Sequence, residues 1–471
     1  MDKIQLKEYF NRLSRVRQKR GVRNRYYHND IYKLLNFLIP KDASVLDVGC
    51  GDGEILSRLG RPKSVGIDFS PVVIASAEQQ HPAIEFLEMD AEYLCLNKKF
   101  DYVVISDTIG FLSDIQSALS GLHRICHPKS KIIITYYNYL WEPILKLAEK
   151  LHLKTSEPIQ NWVSCSDVDN LLYLAGFEIV KRGERLLFPK YFPLLSSFLN
   201  FYLAKMPLLR HLCLINYVVA RPRPAGKVLP DRDPSVTVLI PARNEKGNIE
   251  TAVQRVPKLG SHTEIIFVEG NSTDSTWEEI GRVKAKYSNL DIKMMKQDGR
   301  GKGDAVRKGF DVASGDILMI LDADLTVRPE ELPKFYQAIA SGAGEFINGS
   351  RLVYQLEDQS MRLLNIFGNK FFSLMFSWLL DQRLKDTLCG TKVIWKDDYE
   401  RVKSGRSFFG DFDPFGDYDL LFGAAKLNLK IVDLPIRYQA RTYGTTNISR
   451  FRHGWLLLQM CFFAMKKIKF I

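Results

Sequence analysis

The sequence predicts an α/β fold repeated in two domains, and three observations predict it. Short apolar runs alternate with helical patterns along the 471 residues, as βαβ units require. Two of these runs break off into ligand-type polar clusters, Asp47-Val48-Gly49-Cys50-Gly51-Asp52-Gly53 and Asp322-Ala323-Asp324. A stretch with four prolines and alternating charge, 221–234, separates the halves and reads as a semi-rigid linker. The expected division is 1–223, a linker at 224–234, and 235–471. That length exceeds one ordinary core.

Composition is that of a globular protein, 46% hydrophobic and 25% charged, with a formal net charge of +12. The charge favours anionic partners such as nucleotide phosphates or lipid head groups, or serves only solubility. Seven cysteines lie far apart with no Cys-x-x-Cys pair, which argues against a disulfide framework or zinc site and for a reducing compartment. Met1-Asp2-Lys3 is followed by no apolar h-region, so no signal peptide is expected. No apolar run reaches about 18 residues. The expected location is cytoplasmic, with peripheral contact on the membrane face as an extension.

In the first half, residues 3–25 form a basic helical pattern with Arg15, Arg17, Lys19, Arg20, Arg23 and Arg25. A solvated helix is the first reading and a phosphate- or membrane-facing helix the second. An amphipathic helix follows over about 30–38. Ser44–Val48 is a strand, and Gly49, Gly51 and Gly53 form a loop that lets backbone approach a ligand at a helix start. The spacing is G-x-G-x-G with Glu54 next, which demotes a dinucleotide site. The next strand ends at Asp68, where a carboxylate can accept two ribose hydroxyls. Further strands lead to Asp90-Ala91-Glu92 and to Ser106-Asp107, and a fifth covers 131–135 after a Pro128 turn. A helix over 166–175 with Ser166 as cap and strands at 176–180 and 215–220 complete this half. Between those strands, 186–214 is an apolar insert that either caps a pocket, lies on a membrane surface or packs as core.

This motif order, with "VLDVGCGDG" first, resembles class I S-adenosylmethionine-dependent methyltransferases over about 26–223. The resemblance implies a Rossmann-like fold and S-adenosylmethionine as cofactor. It implies a cofactor set of Asp47, Gly49, Gly51, Gly53, Asp68, Asp90, Ala91 and Ser106. Asp68 would hold the ribose and Asp90 the adenine amine. Methyl transfer from a sulfonium needs positioning and a dry pocket more than acid or base. A structural role is the first reading of His28 and Tyr27, and a base for a hydroxyl acceptor the second. Ser106-Asp107-Thr108-Ile109 is not an Asn/Asp-Pro-Pro-Tyr loop, which counts against nucleic-acid amino methylation.

In the second half, 236–240 is a strand leading to Pro241-Ala242-Arg243-Asn244-Glu245, and 264–268 one leading to Glu269-Gly270. Gly299-Arg300-Gly301-Lys302-Gly303-Asp304 is a glycine-rich basic loop suited to phosphate. Residues 317–321 read as a buried parallel strand ending at Asp322 and Asp324. Two carboxylates at a strand end repel each other and lose solvation. Mg²⁺ or Mn²⁺ would offset both.

These ordered motifs resemble family 2 glycosyltransferases of the GT-A fold over about 235–450, and within them enzymes similar to dolichyl-phosphate mannose synthase. The resemblance makes the whole chain two Rossmann-like domains and implies a nucleotide-sugar set of Pro241, Ala242, Arg243, Glu245, Glu269, Lys302, Asp304 and Asp322. Asp322 and Asp324 would bind metal. The family usually shows Asp-Asp where this chain has Glu269-Gly270. Arg351 is read as a contact to an anionic acceptor, and Asp417 or Asp419 as a base or as structural. Apolar stretches at 361–380 and 455–469 are expected at a membrane interface or docked on the core.

The expectation is therefore a bifunctional transferase. One domain moves a sugar from a nucleotide-sugar to polyprenyl phosphate or a glycan with inversion, and the other moves a methyl group. The alternative is a glycosyltransferase with a non-catalytic methyltransferase-like module. No nucleic-acid partner is expected, because no stacking platform accompanies the basic N-terminus.

Overall fold

The computed structural model describes residues 3–20, 25–152, 154, 160–224, 233–351, 353, 363–408, 418–439, 441, 443 and 450–470, with backbone only at 15–20, 363–367 and 450–453. The chain folds as two compact units, Met1–Arg223 with Phe470–Ile471, and Pro224–Lys469. Most of the expected linker, 225–232, lies outside the described residues.

The first unit is a seven-stranded sheet. Its strands are β1 (Val45–Val48), β2 (Val65–Asp68), β3 (Glu85–Glu88), β4 (Phe100–Ser106), β5 (Cys126–Tyr137), β6 (Phe177–Arg185) and β7 (Ile215–Pro222). Their order is β3-β2-β1-β4-β5-β7-β6. β7 runs antiparallel to both neighbours, and the other described pairings are parallel. β4 shows why the central strands read as unbroken apolar runs. Phe100, Val103 and Ile105 pack into the core on one face, while Tyr102 and Val104 pack into the core on the other. Burial on both faces removes the polar alternation.

Three local expectations are corrected. The strand at 131–135 begins at Cys126, and a register shift lets it carry Pro128 without a turn. The helix expected at 166–175 is Cys165–Leu174, capped by Ser164 in a reciprocal box with Asp167 rather than by Ser166. The basic N-terminal helix stops at Arg20, and Arg25–Leu38 forms a separate helix that includes Tyr26, Tyr27 and His28.

The second unit is also a seven-stranded sheet. Its strands are β8 (Val236–Ala242), β9 (Thr263–Glu269), β10 (Asp291–Lys296), β11 (Ile317–Ile320), β12 (Phe346–Ser350), β13 (Lys392–Trp395) and β14 (Ile431–Pro435), in the order β10-β9-β8-β11-β13-β12-β14. β11 again splits its side chains between two cores, Ile317 and Met319 to one and Leu318 and Ile320 to the other. It pairs parallel with β8 but antiparallel with β13, so the expected parallel strand is parallel on one side only. The reversed strand brings its preceding loop, 386–391, beside the end of β11.

The apolar helices of this unit are largely docked. In Leu363–Leu380, Phe372, Phe376, Leu379 and Leu380 are buried, and in Arg450–Ala464, Leu457, Met460, Cys461 and Ala464 are buried. Phe371, Leu374, Trp455 and Phe462 stay exposed. No described helix is long and apolar enough to cross a membrane.

Candidate functional site

Each sheet carries a site at the carboxyl ends of its parallel strands, where open α/β sheets bind ligands. In the first unit a cavity of about 750 Å³ is lined by Gly49, Gly51, Asp68, Asp90, Ala91 and Ser106 among others. The glycine loop turns back on β2, with Gly49 and Cys50 N–H both donating to the Ile67 carbonyl at 2.8 and 3.0 Å. Gly49 has φ +74°, and a Cβ there would lie 2.3 Å from the Thr108 hydroxyl. Only glycine fits.

Asp68 closes the loop by accepting from Gly51 N–H at 3.3 Å and Ser70 N–H at 3.0 Å. Burial raises its pKa, and those hydrogen bonds partly offset the rise. Asp47 and Gly53 are absent from the wall. Gly53 caps the short helix Glu54–Leu59. Asp47 is buried behind the wall with both carboxylate oxygens unpartnered. Burial, then Asp68 and Asp52, pushes its pKa up to about 7. Ser106 Oγ is 3.0 Å from Thr135 Oγ1, which ties it to the neighbouring strand.

The N-terminal helix is not the solvated helix that its charge suggests. Lys3, Leu6, Tyr9, Phe10 and Leu13 form one wall of the cavity. Phe10 packs edge-on against Phe69 and Phe111 at 6.0 and 5.3 Å between ring centres. Lys3 bonds Asp90 and Glu92, each at 2.7 Å. Sequence pattern hides this because charge dominates the helix, while Leu6, Phe10 and Leu13 turn to the cavity. Across the cavity, Tyr27 donates to Asp107 at 2.7 Å. Burial, then Asp107, raises the Tyr27 pKa well above its ordinary value. Tyr27 is therefore a hydrogen-bond donor here, in line with its structural reading. Asp107 has φ +54°, a conformation in which Asp is enriched, and lines the cavity beside Tyr27.

S-adenosylmethionine fits this wall. Gly51 lines the cavity with nothing within 4 Å of where a Cβ would lie, Asp68 offers acceptors, and the wall carboxylates Asp52 and Asp90 add negative potential for a cationic ligand.

In the second unit Asp322 Oδ1 meets Lys302 Nζ at 2.7 Å. Burial works against the Asp322 charge, but Lys302, ahead of Lys392 and Arg351, holds its pKa below the ordinary value. Lys302 starts the helix Lys302–Asp311, behind Gly301 at φ +86°. Asp304 accepts from Gly299 N–H at 2.8 Å, so it folds the glycine loop on itself. Gly390 passes so close that a Cβ would lie 1.9 Å from Asp322 Oδ2 and 2.5 Å from Lys302 Nζ. Asp324 accepts from Thr326 N–H and Oγ1 at 3.1 and 2.8 Å.

Arg441 joins the Asp324 and Glu245 carboxylates, at 2.6 and 2.9 Å. Burial raises the Glu245 pKa, against the pull of Arg441. Pro241 and Ala242 end β8, Ala242 is buried, and Arg243 is exposed. Glu269 is buried and accepts from Ser272 N–H at 2.5 Å, so the carboxylate of the atypical Glu-Gly pair organises its own loop. Asp322 and Asp324 are hard oxygen donors of the kind Mg²⁺ or Mn²⁺ takes; each is paired with a cation, Lys302 or Arg441, and the described residues hold no cluster of three or more metal-ligating side chains.

Two expected site residues are held by partners from elsewhere in the unit. Arg351 is paired with buried Asp386 through Nε and Nη2 at 2.7 and 2.9 Å. Burial opposes its charge, but Asp386 outweighs that and raises the Arg351 pKa, while Arg351 holds Asp386 at about 2 against burial. The bidentate pair fixes the guanidinium through Nε and Nη2. Asp419 is buried and bonded by Arg307 and Arg406 at 3.2 and 2.9 Å, which favours the structural of its two readings. Asp417 lies outside the described residues.

Comparison with known proteins finds a different family in each half of the chain. Residues 23–182 match a methyltransferase domain family and residues 237–400 match glycosyl transferase family 2. A dolichol-phosphate mannosyltransferase of Pyrococcus furiosus is 39% identical over 120 residues, 25% of this chain and 33% of that protein. A low-salt glycan biosynthesis hexosyltransferase, Agl6, of Haloferax volcanii is 28% identical over 229 residues, 48% of this chain and 52% of that protein. This chain thus spans between a third and about half the length of these relatives. A solved S-adenosylmethionine-dependent methyltransferase of Thermotoga maritima aligns with 45% of this chain and 97% of its own at 19% identity and a TM-score of 0.35.

Proposed function

We propose that this chain, which joins a methyltransferase domain to a glycosyl transferase family 2 domain, is a bifunctional transferase acting on a polyprenyl-phosphate-linked or free glycan. The observation that carries the reading is the pairing of each family match with a separate strand-end site of suitable charge. The mannosyltransferase and hexosyltransferase relatives support a nucleotide-sugar donor and a polyprenyl phosphate acceptor.

In the sugar-transfer site, Lys302 and Arg441 bind the donor's diphosphate and Glu245 orients Arg441. A divalent cation held by Asp322 and Asp324 would supply further charge against the departing diphosphate. A phosphate acceptor is already ionised, so no base is needed, in accord with the engagement of Asp419. Attack from the face opposite the leaving group inverts the anomeric carbon.

In the methyl-transfer site, Gly49 and Gly51 admit the cofactor to the backbone, and Asp68 accepts the ribose hydroxyls. Bound S-adenosylmethionine supplies a methyl group on a sulfonium. Phe10, Phe69 and Phe111 exclude water, and Tyr27 is held by Asp107 beside the cavity. Positioning and desolvation carry the rate.

The test is product analysis by mass spectrometry with polyprenyl phosphate, UDP- and GDP-sugars and Mg²⁺ or Mn²⁺, with and without S-adenosylmethionine. A lipid-linked sugar that Asp322→Asn abolishes, and an added methyl mass that Asp68→Ala abolishes, are the expected results. Cofactor binding without methyl transfer to any product would reduce the first domain to a binding module. Turnover unchanged in both variants would overturn the whole reading.

A further inference from the structure

The first unit exposes an apolar face that its cofactor site does not use. In the insert after β6, Tyr191, Phe192, Leu194, Leu195, Phe198 and Leu208 are each half or more exposed. The helix Glu142–Lys150 buries none of its residues, although Ile144, Leu147 and the following Leu151 form an apolar side. The two segments share an edge. Trp141 Nε1 donates to the Leu212 carbonyl at 2.8 Å, and Asn138 Nδ2 to the carbonyls of His211 and Cys213, each at 2.9 Å. Contiguous apolar exposure on this scale marks an interaction site.

The insert is built to hold its tip outward. Leu194 is 87% exposed at φ +64°, a strained conformation for a bulky residue. Buried Ser196 fixes that turn, accepting from Phe192 N–H at 2.6 Å and donating to the Lys190 carbonyl at 2.7 Å. Buried Asn200 staples the base, bonding Phe188 through both N–H and carbonyl at 2.8 and 2.7 Å and Tyr26 at 3.0 Å.

The charge within the insert has one sign. Residues 187–213 contain no Asp or Glu, and their Lys and Arg residues are Lys190, Lys205 and Arg210. Lys190 is exposed at the tip, Lys205 is buried, and Arg210 lies 3.5 Å from Glu184 at the base. On the helix, Glu142 and Glu149 are neutralised by Lys146 and Lys154. Leucine and aromatic tips beside an unopposed cation match an anionic lipid surface.

Phe201 and Tyr202 pack against Phe470, at 5.5 and 5.8 Å between ring centres, which leaves the tip and the helix open. We infer that the face formed by residues 139–151, 190–198 and Leu208 docks the methyltransferase unit on an anionic phospholipid bilayer. This goes beyond the reading above, which places no part of that unit at a membrane, and it depends on neither activity.

The experiment is co-sedimentation of the full chain with phosphatidylcholine vesicles, with and without phosphatidylglycerol. Leu194→Glu/Leu195→Glu and Ile144→Glu/Leu147→Glu are compared with the parent. All four positions are solvent-facing, and S-adenosylmethionine binding serves as the folding control. The expected result is sedimentation with phosphatidylglycerol vesicles and at least roughly tenfold weaker partitioning for each variant. The proposal is overturned if the parent stays in the supernatant. It is equally overturned if the variants sediment like the parent, which assigns binding to another surface. It also fails if light scattering shows a parent dimer that the variants dissolve, which makes the face a contact between copies.

Discussion

At the first strand-end site the carboxylates outnumber the cations. Asp52, Glu54, Asp68, Asp90, Glu92 and Asp107 line the cavity against Lys3 and Arg58. At the second, each strand-end carboxylate has its own cation, Lys302 for Asp322 and Arg441 for Asp324. The sheets share strand-end placement, but the electrostatics are opposed, and pKa values follow. Burial raises Asp47 and Asp68, whereas Lys302 and its neighbours overcome burial at Asp322. A cation-tolerant, phosphate-free pocket suits a sulfonium nucleoside. A pocket with balanced ion pairs can release its cations to a polyanion.

The sharpest way to break this comparison is Asp322→Asn. Sugar transfer should fall by at least about a hundredfold, with methyl transfer unchanged in the same preparation. Equal loss in both assays would show that the sites are not separate.

Gly390→Ala comes next. Its Cβ would crowd both Asp322 and Lys302, so sugar transfer should drop roughly tenfold or more from misplacement alone. Thermal unfolding would show whether the loss is one of geometry or of fold.

Asp47 sharpens the other side. Its raised folded pKa means that the folded state holds a proton the unfolded chain has released. Its contribution to stability is therefore full below its unfolded value of about 4 and lost as pH rises to about 7. Asp47→Asn should remove that loss, gaining on the order of 2–4 kcal/mol over the parent at pH 8 and little at pH 4. Urea unfolding of the first unit at the two pH values measures it, and a pH-independent difference would refute the buried-proton account.

The smallest effect is expected for Lys3→Ala. The pair is about one-third exposed, so solvent screening limits its value to about 1 kcal/mol or less. Cofactor release, followed by stopped flow, should accelerate a few-fold.

Much of this is legible in local sequence. The glycine loop before Glu54 and the acids at the ends of β2 and β11 announce themselves because strand ends and tight turns have strict residue requirements. Other features are not legible, because they depend on partners far away in the chain. Arg351 looks available in sequence, but Asp386 occupies it. Asp419 reads in sequence as either a base or a structural residue, and only the structure shows Arg307 and Arg406 holding it. Arg441 reaches Glu245 and Asp324 across separations of 196 and 117 residues.

The sequence by itself determined the two α/β domains and the strand-end acids, since periodicity and glycine spacing act within a few residues. Tertiary structure alone decided which charges are available for ligands. It placed the N-terminal helix over the first cavity and Gly390 against Asp322, and it left the apolar face of the first unit uncovered. Charge pairing and burial are set by distance in space, and one-dimensional spacing does not encode it.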